Sequence, residues 1–354
     1  MGFISRLLGR DNKTPEKETG GVGEAVQHDN VRTPTVWQDS PAHLLLLRHF
    51  LDGGQAKHLR DEQWRPVLNE PVPDALARFI AEGVLVQATL AQSAHATVNA
   101  HQAKEMARNL GLKVSGRKSE VIQRVLDASP DAVQTAMGTV DVLICGQEAT
   151  NVVQRYLVRC SAAKEAMEEA TLELVKEHRF VEAAQCVGRY EAAQVFGRGI
   201  GIDWSSDRPG TVTQLDTMFT VSPKILKELD RAELEPLRVG AAMMMLLGTN
   251  TAKKWLPTGM KGVARFDLDT AARMLVFRAS APAISHKKGT LYRVFGAPDS
   301  CAACKTFAGR LFKPQEVPEF PYEHCSHVMG CRCLLSETSD DIDALSRELG
   351  LPEL

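Results

Sequence analysis

Aromatic residues are scarce in this sequence of 354 residues: they make up 6% of it, whereas 44% of the residues are hydrophobic. Sandwiches and barrels of β-strands are usually rich in Tyr, Phe and Trp, so an apolar content carried by Leu, Ala, Val and Met favours packed helices. A chain of this length suffices for roughly two or three domains with cores of their own. We therefore expect a mainly α fold made of several modules.

Long apolar runs are also missing. The most apolar stretch, Val239 to Leu247, is far shorter than the roughly 20 residues that a membrane-spanning helix needs. The N-terminal MGFISRLLGR has no small-residue cleavage site of a secretory signal, and Arg6 stands where a myristoylation motif has Ser or Thr. These observations predict a cytoplasmic protein without a membrane span.

No charge of one sign dominates the chain. Lys and Arg number 42 and Asp and Glu 44, which gives a formal net charge of −2 and excludes a broad basic surface that could coat a polyanion. Any nucleic-acid site must therefore be local. From His101 to Ala128, six basic residues against three acidic ones give a local charge of +3. The basic residues are Lys104, Arg108, Lys113, Arg117, Lys118 and Arg124.

The same stretch shows the pattern of two short helices joined by a turn. The predicted apolar faces are Ala103, Met106, Ala107 and Leu110 in the first helix and Val121, Ile122 and Val125 in the second. Gly111 is predicted to end the first helix, and Ser115-Gly116 to turn the chain. The start of the second helix offers free backbone N–H groups to an anion, to which Arg117 and Lys118 add charge-assisted contacts with phosphate.

The string LGLKVSGRKSEVIQRVL, Leu110 to Leu126, resembles a SAP domain, a helix, extended loop and helix module associated with DNA binding. The first helix departs from the family by having alanines where leucines are common. The resemblance implies a nucleic-acid surface made of Ser115, Gly116, Arg117 and Lys118, flanked by Lys104, Lys113 and Arg124. The alternative is a helical hairpin whose basic residues are only solvated.

Five of the eight cysteines fall within 33 residues, and such clustering in a reducing compartment predicts metal binding before disulfides. A CxxC between the strand-like segments LYRVF and GRLF is typical of a zinc knuckle. His324 and His327 add to the candidates. The predicted ligands of a structural Zn²⁺ are Cys301, Cys304, Cys325 and Cys331, with Cys333 as the first substitute and His327 as the second.

No catalytic motif accompanies these cysteines. A zinc deaminase needs His-x-Glu before its cysteines, but His286 is followed by two lysines, and no HExxH string occurs. An all-thiolate site is usually closed and structural. Acidic candidates for a nucleic-acid-processing enzyme form no motif: Asp203, Asp207, Asp267 and Asp269. We expect a protein that is not an enzyme, with that activity left open as an alternative.

The cysteine segment is also similar to the C-terminal motif of phage Mu F-type head morphogenesis proteins, which combines CxxC, G-x-x-[FY] and a closing CRC. The residues that carry this similarity are Cys301, Cys304, Gly309, Phe312, Cys331, Arg332 and Cys333. It implies bacterial or phage ancestry. It also implies an alternative function, that of a structural or assembly protein whose zinc module contacts a protein partner.

The expected architecture is a mainly α, multi-module protein with a SAP-like helix-loop-helix and a small zinc-ribbon-like α+β module. Asp207 to Pro223 is predicted to be a loop, Gly197 to Gly201 a helix cap and turn, and Ser339 to Leu349 a helix. The predicted division is a disordered arm 1–41, a helical domain 42–96, the SAP-like motif 97–135, a helical linker pair 136–205, a helical and mixed domain 206–290, the zinc module 291–336 and a C-terminal helix 337–354. The leading prediction is binding of DNA, or alternatively RNA, with unknown oligomeric state.

Overall fold

The computed structural model describes residues 36–196, 209–262, 266–281, 283–287 and 289–339. Helices dominate this part of the chain, as the composition predicted. Its α-helices are α1 (Pro41–Arg48), α2 (Asp61–Leu68), α3 (Val72–Ala81), α4 (Leu90–Thr97), α5 (Ala100–Asn109), α6 (Lys118–Ala128), α7 (Pro130–Met137), α8 (Gln147–Lys176), α9 (Phe180–Ala192), α10 (Pro209–Thr220), α11 (Arg231–Leu247), α12 (Leu268–Ala279) and α13 (Ala302–Lys305).

Strands are few and short in the same residues. They are β1 (Leu85–Gln87), β2 (Leu143–Cys145), β3 (Thr290–Phe295), β4 (Leu311–Phe312) and β5 (Leu334–Ser339). β1 and β2 form an antiparallel pair in which Leu85 faces Cys145. The other three form an antiparallel sheet in the order β4-β3-β5, where Tyr292 faces Phe312 on one side and Glu337 on the other. The second sheet is the scaffold of the cysteine-rich module.

Buried apolar side chains in the described residues form three clusters. The first joins α1, α2 and α3 to the β1–β2 pair and to the start of α8. The second lies within α4 to α7 and contains the SAP-like hairpin. The third is formed by the end of α8, by the helices α9, α10, α11 and α12, and by the cysteine-rich module. Helix α8 has 30 residues, which span about 45 Å, so Val153 lies in the first cluster and Val175 in the third.

The structure corrects three sequence-based predictions. The predicted loop Asp207 to Pro223 contains helix α10, because Leu215, Met218 and Phe219 are buried in the third cluster and this packing outweighs the weak helix propensity of Gly and Thr. Residues 337–339, predicted to belong to the C-terminal helix, instead end strand β5, because they pair with β3. The predicted helical domain 42–96 is not helical throughout, because the chain after α3 turns into strand β1.

Three predictions fall outside the described residues: the arm up to residue 35, the turn from Gly197 to Gly201, and the helix predicted after Ser339. Residues 36–39 lead into α1, and Trp37 is buried in the first cluster. Helix α1 begins at Pro41, so ordered structure begins within the stretch 1–41 that was predicted to be a disordered arm. Among the helices that the structure describes, none combines the length and the apolar character needed to cross a membrane.

Candidate nucleic-acid interface and candidate metal centre

The SAP-like hairpin is built from α5 and α6, each of which begins at a definite N-terminal cap. Asn99 caps α5 in a reciprocal pair with Gln102, in which each side chain accepts the other residue's backbone N–H at 2.9 Å. Ala103 and Ala107 on α5 are fully buried and share the second cluster with Ile122 of α6. Small side chains at these positions let the two helices approach closely. The alanines that depart from the SAP family therefore form the helix contact.

The loop between the helices is fastened by Arg124. Its guanidinium donates hydrogen bonds to the carbonyl oxygens of Lys113 and Ser115, the latter at 2.8 Å. Leu112 and Val114 pack against the second cluster from the same loop. Residues 110–117 are thus held to α6 by one basic side chain and by two apolar contacts.

Gly116 occupies a position that a larger residue would disturb. Its φ is +123°, and a Cβ atom there would lie 2.5 Å from Glu120 Oε2 and 2.9 Å from the guanidinium of Arg124. Glu120 Oε2 accepts the backbone N–H of Arg117 at 3.0 Å. That N–H group therefore already has a hydrogen-bond acceptor within the protein, although the sequence pattern predicted that it would be free to bind an anion.

The predicted nucleic-acid residues divide into two groups. Arg124 and Lys118 hold the hairpin together: Lys118 Nζ donates to the carbonyl oxygen of His95, near the end of α4, at 2.8 Å. The remaining cations project from the hairpin: Lys104, Lys113 and Arg117 are exposed, as is Arg108. Ser115 and Gly116 are exposed in the loop between them. The structure brings all seven predicted residues into one hairpin and gives two of the cations structural contacts.

The five clustered cysteines come from three short segments that meet on the β3–β4–β5 sheet. Cys301 caps α13 and Cys304 lies within it, between β3 and β4. Cys325 lies in the loop after β4, whereas Cys331 and Cys333 directly precede β5. All but Cys301 are buried. Strand pairing therefore brings together thiols that are up to 32 residues apart in the sequence.

The distances between these thiols fit a shared metal ion. Cys301 Sγ lies 3.8 Å from Cys325 Sγ, and Cys304 Sγ lies 3.9 Å from Cys331 Sγ. Zinc binds thiolates at about 2.3 Å in a tetrahedron, which places its sulfur ligands about 3.8 Å apart, whereas a disulfide holds them about 2.05 Å apart. The cysteines are free thiols at metal-site spacing.

The thiols form two overlapping groups of three, and within each group all sulfur atoms lie within 4.8 Å of one another. One contains Cys301, Cys304 and Cys325, and the other contains Cys304, Cys331 and Cys333. The four predicted ligands are therefore in the cluster, and so is the first substitute, Cys333. The arrangement can hold a metal ion, with one thiol more than a tetrahedral site takes.

Hydrogen bonds favour thiolates at two of these positions. Burial would raise the pKa of Cys301, but hydrogen bonds from the backbone N–H groups of Cys304 and Ser326 outweigh it and lower that pKa to about 6. The pKa of Cys331 is lowered to about 2, because the thiols of Cys325 and Cys333 donate hydrogen bonds to it. Burial raises the pKa of Cys304 to about 12. Anionic sulfur at the centre of a buried cluster suits a cation.

His327, the second substitute, lies outside both thiol groups. Its Nδ1 accepts the backbone N–H of Met329 at 3.0 Å, and its Nε2 lies 3.4 Å from Asp299 Oδ2. Arg332 also donates a hydrogen bond to Asp299, which lowers the pKa of that carboxyl group. Both ring nitrogens of His327 thus have partners, and the residue tethers the loop before Cys331.

The cysteine cluster is seated on helix α12. The backbone N–H of Cys331 lies 3.3 Å from the sulfur of Met274, and a Cβ atom at Gly330 would lie 2.5 Å from the Met274 methyl group. Gly330 has a φ of +76°, a conformation that favours glycine, and a larger residue would displace the end of the Met274 side chain. No sequence pattern pointed to this contact, because it joins residues 57 positions apart.

The described acidic candidates for catalysis have structural contacts instead. Asp267 caps α12 by accepting the backbone N–H of Thr270 at 2.7 Å. Asp269 accepts the backbone N–H of Ala252 at 2.8 Å and the hydroxyl of Thr251 at 3.0 Å. Asp203 and Asp207 lie outside the described residues.

No protein-family model, no curated protein and no solved structure matches this chain. The resemblances to SAP domains and to phage Mu F-type proteins therefore rest on the residues quoted above. The geometry of the hairpin and of the thiol cluster is the basis for assigning a function.

Proposed function

We propose that this protein binds double-stranded DNA through the α5–α6 hairpin, and that a structural zinc ion holds its cysteine-rich module together. The observation that supports DNA binding most directly is the group of exposed cations around a fastened loop. Lys104, Arg108, Lys113 and Arg117 carry positive charge on one hairpin of a chain whose net charge is −2.

Fastening the loop matters because a preordered site loses less conformational entropy on binding. Arg124 and the Glu120 cap hold the backbone at residues 113–117, so the side chains of Lys113 and Arg117 project from fixed points. Lys and Arg at such points neutralise phosphates and release counterions, which requires no contact with base edges. Binding is expected to be weakly selective for sequence and strongly dependent on salt.

A titration of labelled duplex DNA at two salt concentrations tests this proposal. In the double variant Lys113→Glu/Arg117→Glu, we expect weaker binding and a salt slope that is shallower by about two, one for each phosphate that the variant no longer neutralises. The variant Lys57→Glu/Arg60→Glu is the matched control, because both residues are exposed and it changes the net charge equally. Equal weakening of binding in both variants would attribute the effect to total charge and contradict the hairpin site.

Thiol geometry and burial support the zinc proposal. Cys301, Cys304 and Cys325 lie within 4.8 Å of one another, and Cys331 lies 3.9 Å from Cys304, so a small closing movement would complete a tetrahedral site in which Cys333 can replace one ligand. Buried thiolates also gain more from a cation than exposed ones. With all-thiolate coordination and no open ligand position, the ion would act as a structural link between α13 and β5.

Elemental analysis and cobalt substitution test the metal site. The freshly purified protein is expected to contain one equivalent of zinc, and Co²⁺ in its place should give the intense charge-transfer absorption of sulfur ligands. Cys304→Ser should release the metal, because Cys304 belongs to both thiol groups. Cys160→Ser, which changes a cysteine outside the cluster, should retain it. Metal-free wild-type protein after purification in zinc-containing buffer would contradict the proposal.

A second candidate function, assembly with further copies of this chain, is favoured by exposed apolar residues in the loop between Cys325 and Cys331. Val328 is 75% exposed and Met329 48% exposed. Sedimentation velocity over a range of concentrations tests it: Val328→Ser/Met329→Ser should reduce self-association, whereas Val158→Ser on α8, where Val158 is 69% exposed, should not. A wild-type protein that stays monomeric at high concentration would reject this function.

A further inference from the structure

An open pocket of about 580 Å³ lies away from the hairpin and the thiol cluster. It is formed between the turn that joins α8 to α9 and the segment from the end of α10 to α11. Charged, hydroxyl and apolar side chains all contribute to its lining: His178, Phe219, Thr220, Ser222, Arg231, Leu234, Glu235 and Arg238. We call it the His178 pocket.

Arg238 is the most buried charged residue of the His178 pocket, with 11% of its side chain exposed. One terminal nitrogen donates to Ser222 Oγ at 2.8 Å, and the other lies 3.6 Å from Glu235 Oε2. Its Nε–H is buried and has no hydrogen-bond partner among the described residues. A buried donor without an acceptor is costly, so this guanidinium is incompletely satisfied by the protein itself.

His178 is a second, independent feature that indicates a binding role for this pocket. Its φ is +59°, in the left-handed region, at the turn where α8 ends. Glycine is the usual residue at such a position, so histidine there carries a cost in backbone strain. Its ring stacks on Phe180 and lies 4.8 Å from the ring of Phe219, which lines the same pocket. An apolar and aromatic wall therefore stands beside the guanidinium.

The charges in the pocket leave an excess of positive charge. Glu235 is shared between His178 Nε2, at 3.3 Å, and Arg238. Arg231 is exposed at the first turn of α11 and makes no ion pair within the described part of the chain. Two arginines therefore face one carboxylate that already has partners, and the hydroxyls of Ser222 and Thr220 stand next to them.

We propose that the His178 pocket binds a small aromatic phosphate monoester. Arg231, Arg238 and the Ser222 hydroxyl would hold the phosphate group, and Phe219 with the His178 ring would contact the aromatic body. Arginine suits this role because its planar donors match phosphate oxygens in pairs. A recessed guanidinium is reached more easily by a terminal phosphate than by the backbone phosphates of a duplex, which makes this site distinct from the hairpin.

Calorimetric titration with phenyl phosphate at constant ionic strength tests the proposal, with inorganic phosphate as the second probe. We expect saturable binding of one phenyl phosphate per chain and weaker binding of inorganic phosphate, which lacks the aromatic ring. Arg231→Gln should weaken the binding by about tenfold or more, because it removes one charge-assisted hydrogen bond to the phosphate. Arg189→Gln, which removes an exposed arginine of α9 outside the pocket lining, should leave it unchanged.

A second variant guards against a folding defect. Arg238→Lys keeps the charge but removes the paired planar donors of the guanidinium, so it should also weaken binding while its circular dichroism matches the wild type. No saturable binding at millimolar phenyl phosphate, or equal binding by wild type, Arg231→Gln and Arg238→Lys, would overturn the proposal. Displacement of phenyl phosphate by a duplex oligonucleotide would assign the pocket to DNA instead and would equally overturn it.

Discussion

Single residues in the hairpin have roles that their type alone does not reveal. Arg124 and Arg117 are both basic residues of the same motif, yet the first bonds to loop carbonyls and the second projects into solvent. A sequence pattern predicts that cations are present, but the direction of each side chain depends on how the loop folds back on α6. The contact of Lys118 could not be predicted from the motif either, because its partner is the carbonyl oxygen of His95 in another helix.

Gly111 and Gly116 allow a matched test of loop geometry. Both have positive φ, but a Cβ atom at Gly111 would meet no heavy atom within 4 Å, whereas one at Gly116 would collide with Glu120 and Arg124. Gly111→Ala should therefore destabilise the hairpin by about 1 kcal/mol from backbone strain alone. Gly116→Ala should cost more, because it also disturbs the hydrogen bonds of Arg124.

Amide hydrogen exchange in α5 and α6 measures this difference, because it reports local opening energies in a protein with several cores. Protection in the first cluster, for example at Val153, should be the same in both variants. An equal decrease of protection in Gly111→Ala and Gly116→Ala would show that the clash at Gly116 is relieved without cost.

At the scale of elements, periodicity located the helices that have a regular apolar pattern. The helical pair predicted within residues 136–205 agrees with α8 and α9, because a long amphipathic pattern has many residues that support it. Helix α10 was missed, because its helical state depends on burial of Leu215 and Met218 against distant residues. The predicted thiol ligands lie close together in the structure, because CxxC and CxC fix their spacing along the chain. The packing of the cluster on Met274 could not be predicted, because it joins residues that are 57 positions apart.

Helix α12 offers a test of a single cap. Asp267 accepts the Thr270 N–H, and this hydrogen bond is the main reason why its pKa is lowered. Asp267→Ala should lower the free energy of unfolding by about 1 kcal/mol near neutral pH, whereas Asp267→Asn should lower it less, because an amide oxygen still accepts the N–H.

The pH dependence of that cap has a definite sign. A carboxyl group whose pKa is lower in the folded state stabilises the protein above its unfolded pKa of about 3.9, and this contribution disappears as the pH falls through the folded value. The advantage of wild type over Asp267→Ala should therefore shrink as the pH falls below about 4 in acid titrations followed by circular dichroism, to what a neutral acceptor still provides. A difference between the two proteins that does not change as the pH falls would contradict the role of the charged cap.

At the scale of the whole molecule, the three apolar clusters differ in the elements that form them. The second cluster is closed by α4 and α7 and contains none of the five clustered cysteines. The third cluster contains Cys304, Cys325, Cys331 and Cys333 together with the inner residues of α11 and α12. A metal ion bound by these thiols would thus contribute to the stability of the helices on which they pack.

Removal of the proposed zinc should therefore act on one part of the molecule only. With a strong chelator, or in Cys304→Ser, we expect faster amide exchange in β3, β5 and α12, because the segments that carry the thiols lose the ion that would link them and Met274 loses its packing surface. Exchange in α5 and α6, and the proposed salt-dependent DNA binding by the hairpin, should stay unchanged, because the second cluster is separate. Disappearance of DNA binding together with the metal would show that the two modules depend on each other, and unchanged exchange in α12 would show that the thiol cluster is stable without an ion.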